Sequence, residues 1–172
     1  MVEIISSDKL YDFREINRYI PTKKDNHKNK VYADPELTKI RRQRANLTHK
    51  ILLEKLNDYL VSKGAISLEN EHIDLYAKLK NNKKFLFEVK SIDDKNLLSQ
   101  TRKGISQLYE YRYRYQNIIG YDVNLCLVYP HEPKYVPWLQ EYLCTDRDVG
   151  IMWFEDDKPI FSKFCEHLKN II

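Results

Sequence analysis

The stretch from His72 to Lys90 limits what this chain can become more than any other. In His72–Leu79 the apolar residues Ile73, Leu75, Ala77 and Leu79 alternate with Asp74, Tyr76 and Lys78. Lys84–Lys90 alternates again, with Phe85, Phe87 and Val89 against Leu86, Glu88 and Lys90. Lys80-Asn81-Asn82-Lys83 lies between them and has the composition of a turn. Two runs of period two joined by a turn predict a β-hairpin. A three-residue loop centred on Asn81 would pair even positions with even positions, so Asp74 and Glu88 would share a face.

The flanking sequence supplies the rest of a domain. Asp34-Pro35-Glu36 reads as a helix start, with Asp as cap, Pro at the first helical position and an acid in the first turn. Helical spacing continues through Leu37, Ile40, Leu47, Ile51, Leu52, Leu56, Tyr59 and Leu60, and Gly64 is a natural stop. Ala65–Leu68 reads as a short strand. Asn96–Gln116 reads as a second long helix, and Val123–Tyr129 as a buried strand ending at Pro130. Pro137–Leu143 is expected as a short helix, Gly150–Phe154 as the last strand and Phe161–Ile171 as a terminal helix. The sequence therefore predicts an α/β (α+β) domain with helices around one central mixed sheet. Residues 1–172 are expected to form a single domain. It would have an N-terminal extension (1–33, with a loop at Pro21–Lys30), a core (34–130) and a C-terminal part of strand and helices (131–172).

Composition narrows the function classes. Hydrophobic residues make up 42% of the 172, enough for a core and against a disordered chain. No apolar run approaches the ~18–20 residues of a membrane helix. The first ten residues are charged and lack a signal-peptide core, so a cytoplasmic location is expected. Cys126, Cys144 and Cys165 are far apart in sequence with no CxxC, which predicts reduced thiols rather than disulfides or structural zinc. The net charge is only +4, but it is unevenly placed. Residues 22–50 hold Lys23, Lys24, Lys28, Lys30, Lys39, Arg41, Arg42, Arg44 and Lys50 against Asp25, Asp34 and Glu36. Arg102, Lys103, Arg112 and Arg114 interleave with Tyr109, Tyr111, Tyr113 and Tyr115. Such patches suit a phosphate backbone, and each also reads as an ordinary solvated helix face.

Chemistry concentrates at Asp74, Glu88 and Lys90. Glu88 and Lys90, two apart on a strand, leave the same face. Two carboxylates opposed on a hairpin repel each other unless a cation neutralises them, and a hard divalent metal does so economically. An ammonium beside that ion can orient a water for attack on a phosphodiester and offset charge in the transition state. The same three residues also read as the wet side of a hairpin, with Glu88 paired to a lysine.

Asp74 and Glu88-Val89-Lys90, on a hairpin between two helices and followed by an apolar strand, resemble the PD-(D/E)xK nuclease superfamily. Gln107 and Tyr111, four apart on the following helix, form the QxxxY pattern of its RecB-like branch. His49 lies on the preceding helix, on the stripe of Leu52, Leu53, Leu56 and Leu60. Ile73 stands where the family has a proline, a tolerated variation, and the cysteines that hold an iron–sulfur cluster in some members are missing. The resemblance implies a restriction-endonuclease-like core in the order αβββαβ and hydrolysis of DNA phosphodiesters by a metal-activated water, with Mg²⁺ or Mn²⁺ as cofactor. It implies Asp74, Glu88 and Lys90 as catalytic residues. His49, Asp74, Glu88 and the Val89 carbonyl would be metal ligands. Gln107 and Tyr111 would contact the lysine and nucleic acid. The placement of charge, apart from the resemblance, marks Arg41, Arg42, Arg44, Arg102, Lys103, Arg112 and Arg114 as the residues expected to guide the strand, and Arg114, seven after Gln107, lies close to the helical face of Tyr111. The expected partner is DNA, single-stranded or duplex. No Walker GxxxxGK[ST] is present, so a motor or defence-complex subunit, where one is needed, comes from another chain. The alternative is a nuclease-fold module that binds nucleic acid or a protein without cutting. Separately, His49 also reads as an ordinary inward histidine with one hydrogen-bond partner, and Tyr111 as plain core.

Overall fold

The structure is a computed structural model that describes residues 13–16, 35–170 and 172. The expected Asp34 cap and the Pro21–Lys30 loop lie outside the described residues. A seven-stranded mixed sheet runs β1 (Arg14–Glu15), β2 (Ile66–Glu69), β3 (Leu75–Lys78), β4 (Lys84–Val89), β5 (Asn124–Tyr129), β6 (Val149–Glu155) and β7 (Lys158–Phe161), in that spatial order. Strands β4, β5 and β6 are parallel, and the outer pairs are antiparallel. Helix α1 (Pro35–Ser62) precedes β2, and α2 (Leu97–Ile119) crosses from β4 to β5. A short α3 (Leu139–Glu141) and a π-helical turn (Tyr142–Asp146) lead into β6, and a 3-10 segment (Lys163–Asn170) closes the chain. No described helix is long and apolar enough to cross a membrane.

The hairpin pairs Leu75 with Phe87, Tyr76 with Leu86 and Ala77 with Phe85, so even positions face even positions about Asn81. Asn82 takes the left-handed conformation that a three-residue loop needs (φ 63°). The Leu79 amide donates to Lys83 O and the Asn82 amide to Leu79 O. Strand β4 is buried on both faces from Phe85 to Val89, as a central strand covered on both sides must be.

Helix α1 buries apolar side chains only in its second half. Leu52, Leu56 and Leu60 are buried on one stripe, while residues 39–47 are exposed throughout. The first turns therefore stand away from the core. At the other end Gly64 (φ 77°) closes the helix: Ala65 N–H reaches Leu60 O and Gly64 N–H reaches Val61 O. Helix α2 buries Leu97, Thr101, Gly104, Leu108, Tyr111, Tyr115 and Ile119 on one stripe. Its start is fixed by a reciprocal cap, in which Asp93 Oδ1 accepts the Asn96 amide and Asn96 Oδ1 accepts the Asp93 amide, both at 2.8 Å.

Several expectations fail at the edges of the sheet. Gly150–Phe154 is not the last strand. Val149–Glu155 turns at Asp156-Asp157, both with positive φ, into β7, which takes up Phe161. The expected terminal helix is instead a 3-10 segment broken at Cys165 (φ −129°, ψ 32°). The two-residue Asp-Asp turn was the missed signal, and Pro159 is tolerated because β7 is an edge strand. His72 and Ile73 lie ahead of β3, because Asn70 Oδ1 accepts both of their amides and turns the chain there. At the other edge β1 extends the sheet, and Phe13 packs against Tyr76 and Tyr115.

Candidate active site

A groove of about 960 Å³ opens where the exposed start of α1 faces the β4–α2 connection. Its floor holds Asp74, Glu88, Val89 and Lys90, with His49 and Gln107 beside them. Arg41, Arg42 and Arg44 of α1 and Lys95 and Lys103 of the α2 region line its walls. Ser91 Oγ donates to the Ala45 carbonyl at 3.1 Å and ties the end of β4 to α1.

The side chains on the floor form two linked groups. Asp74 Oδ2 accepts the Val89 amide at 2.8 Å and lies 3.2 Å from His49 Nε2. The aspartate thus bridges from the entrance of β3 to β4 and to the helix. Lys90 Nζ donates to Glu88 Oε1 at 2.5 Å and to Gln107 Oε1 at 2.7 Å. Gln107 Nε2 donates to Tyr111 Oη at 3.1 Å, and the Tyr111 ring stacks on His72 at 6.2 Å between centroids. Lysine only donates, so Gln107 must turn its oxygen to Lys90 and its NH₂ to the tyrosine. Gly104 lets α2 close on this group: a Cβ there would lie 2.6 Å from Leu127 Cδ2 and 3.2 Å from Lys90 Cε.

The electrostatics follow from burial. The Glu88 side chain is only 3% exposed. Burial, and after it the Asp74 charge, push its carboxyl up to about 7, although Lys90 and His49 pull the other way. Burial alone would lower His49, but the hydrogen bond and charge of Asp74, aided by Glu88, win and raise it. Glu88 Oε2 is buried without a hydrogen-bond partner. An orphaned carboxylate oxygen in a native site calls for an explanation, and an ion is one.

Among the described residues, no three His, Cys, Asp or Glu side chains converge as a ready metal cage. The donors nevertheless suit a hard or borderline divalent ion. Glu88 Oε2 is free, and the 3.2 Å between His49 Nε2 and Asp74 Oδ2 is near the roughly 3 Å between adjacent ligands of an octahedral ion with bonds of about 2.1 Å.

The structure gathers His49, Asp74, Glu88, Val89, Lys90 and Gln107 at one groove, with Tyr111 behind Gln107, and Arg44 and Lys103 on its walls. Arg102 and Arg114 do not line it. Arg102, one residue before Lys103, is turned about 100° around the helix, and Arg114 is held by Glu110 at 3.1 Å. Sequence reasoning missed the Asp93–Asn96 cap and Asn46, Thr48 and Gln100 of the groove lining. The cap was legible as an Asp three residues before an Asn at a helix start. No protein-family model, no functionally described protein and no solved structure matches this chain.

Proposed function

We propose that the chain is a divalent-metal-dependent nuclease that hydrolyses DNA phosphodiester bonds, built on a PD-(D/E)xK-like core in which α1, β2, β3, β4, α2 and β5 follow one another. The observation that carries the reading is the buried Glu88 carboxylate. It has one orphaned oxygen, sits beside Asp74 and Lys90, and lies at the floor of a groove whose walls carry Arg41, Arg42, Arg44, Lys95 and Lys103 against Asp93 and Asp94. A surface hairpin would place its acids in water and leave no carboxylate oxygen stranded.

His49, Asp74 and Glu88 would hold the ion, with the Val89 carbonyl beside them. A bound divalent ion supplies charge neutralisation for a phosphate and lowers the pKa of water toward neutrality. Asp74 is anchored by the Val89 amide, so its carboxylate arrives already oriented. Lys90 spends two of its three N–H donors on Glu88 and Gln107. The third is left for a phosphate oxygen or the attacking water. Gln107, oriented by Tyr111, holds the ammonium over the floor. Arg41, Arg42, Arg44, Lys95 and Lys103 bind the phosphates on either side of the cleaved bond.

A second reading, a binding module that does not cut, draws on the ion pair that already closes Lys90 onto Glu88 and on the lack of a ready three-donor set. Cleavage of labelled single-stranded and duplex DNA with Mg²⁺ or Mn²⁺ separates the two. The nuclease reading expects cleavage that disappears in Lys90→Ala while DNA binding persists. Binding without cleavage by the unmodified chain in either metal supports the module instead.

A further inference from the structure

Helix α2 presents two flanks. Gln100, Lys103 and Gln107 line the groove. Arg102, Tyr109 and Arg112 lie about 140–220° round the helix from Gln107, on the far side of its buried stripe. The basic and aromatic residues that the groove does not use meet there. The Arg112 guanidinium lies 4.7 Å over the Tyr109 ring and 4.6 Å over the Tyr121 ring. The Tyr109 hydroxyl donates to the Arg147 carbonyl. The Arg147 guanidinium in turn lies 5.5 Å over the Tyr142 ring, and Tyr142 meets Trp138 edge to face at 5.8 Å between centroids. One row of rings and guanidinium planes thus runs from Tyr121, just past the end of α2, through Tyr109 to Trp138, just ahead of α3.

The row is open to solvent at both ends, with Tyr121 60% and Trp138 52% exposed. Its two arginines differ in charge. Asp146 Oδ2 accepts from both Nε and Nη2 of Arg147 at 2.7 Å, so Arg147 offers a plane and little net charge. Among the described residues no carboxylate pairs with Arg112. The same holds for Arg102, which is exposed and lies seven residues before Tyr109 on the same side of the helix.

We propose that this row is a second nucleic-acid site, separate from the groove, that takes a short single strand. Unpaired bases stack on Tyr121, Tyr142 and Trp138, and Arg102 and Arg112 bind phosphates through the N–H edges that the rings leave uncovered. Stacking against two rings fixes the Arg112 plane in advance, so little side-chain freedom is lost when a phosphate arrives. A duplex keeps its bases stacked on one another and cannot use such rings. A protein hot spot needs a dry apolar centre, and a row that alternates rings with guanidinium groups has none. The site does not depend on cutting, and the nuclease reading stands or falls separately on cleavage with metal.

The test is fluorescence anisotropy in EDTA with a labelled twelve-nucleotide oligothymidylate and its oligouridylate counterpart. Replacing Arg41, Arg42 and Arg44 together by Ala weakens the groove and leaves the row intact. That variant should still bind both strands, and a difference between them tells which sugar the site takes. Adding Tyr121→Ala or Trp138→Ala should weaken binding roughly five- to 150-fold. Adding Arg112→Ala should lower the slope of log K against log salt by about 0.7. Binding should also quench tryptophan fluorescence through Trp138, since Trp153 is only 5% exposed. In the unmodified chain, a strand carrying iodouracil should photo-crosslink at Tyr121, Tyr142 or Trp138. No binding by the groove variant, equal affinity after Tyr121→Ala and Trp138→Ala, or crosslinks confined to the groove overturns the proposal. So does displacement of the strand by polyglutamate but not by unlabelled strand, which would make the row a contact for an acidic protein. If a variant does not fold, the crosslink map of the unmodified chain decides alone.

Discussion

Without metal, the stability of this protein should fall as pH rises from 5 to 8, and Glu88 should be the main cause. Its carboxyl stands at about 7 in the folded chain, against 4.5 for an ordinary glutamate. A carboxyl raised by folding favours the native state while it stays protonated. That advantage is complete below the unfolded value and is lost as pH climbs through the folded one. The full difference is on the order of 3 kcal/mol at about 1.36 kcal/mol per unit, and most of it falls between pH 5 and 8. His49, also raised, contributes with the same sign: its advantage holds below about 6.5 and fades as pH passes its folded value. For a domain of this size the Glu88 part should lower Tm by roughly 5–10 °C. Thermal melts in EDTA across that range measure it. Glu88→Gln keeps an oxygen for Lys90 but cannot ionise, and should flatten the curve to the His49 part. Adding Mn²⁺ should restore Tm most at pH 8, because binding displaces the Glu88 proton below its pKa. Parallel curves for Glu88→Gln and the unmodified chain, or a Tm that does not fall toward pH 8, would refute the reasoning.

Other outcomes follow from the same geometry. Tyr111→Phe removes the acceptor for Gln107 Nε2 and should lower kcat about fivefold, the worth of about 1 kcal/mol, with KM unchanged; steady-state cleavage shows this. Replacing Arg41, Arg42 or Arg44 by Ala should reduce the slope of log K against log salt by about 0.7–0.9 each. Arg114→Ala should leave that slope alone, because Glu110 already holds that arginine; fluorescence anisotropy in EDTA compares them. Gly104→Ala should lower Tm by a few degrees in thermal melts, since the added methyl meets Leu127 and the Lys90 stem. A rise in Tm, as helix propensity alone would give, would remove the close approach from the account.

The hairpin was legible because alternation, turn residues and loop length all specified one register, and a slip of one residue would have sent Glu88 to the other face. The long helices were legible for the same reason of agreement: Gly64 ended α1 where its apolar stripe stopped, and α2 kept one stripe from Leu97 to Ile119. Sequence periodicity gave less at the edges. β7 has four residues, one of them Pro159, so alternation had little length in which to show. The site was legible in residue type and in order along the chain. Its tertiary details were not. Helical spacing puts Arg114 near the face of Tyr111, but spacing does not reveal that Glu110 one turn earlier competes for it. Cys144 and Cys165 come to line one small cavity through a π-helical turn and a broken 3-10 segment, neither of which has a sequence period to read.

Helix α2 meets the sheet through three small or polar residues on successive turns. The Thr101 hydroxyl bonds to Tyr129 Oη at 2.7 Å, Gly104 closes on Leu127, and Gln107 holds Lys90. Together they work like the teeth of a key, so the rotation of the whole rod, more than any one rotamer, sets the height of the lysine head above the floor. One residue inserted between 101 and 107 would swing the amide about 100° out of reach. Descendants of this chain should therefore vary freely along the outward side of that rod while keeping its length between those two teeth.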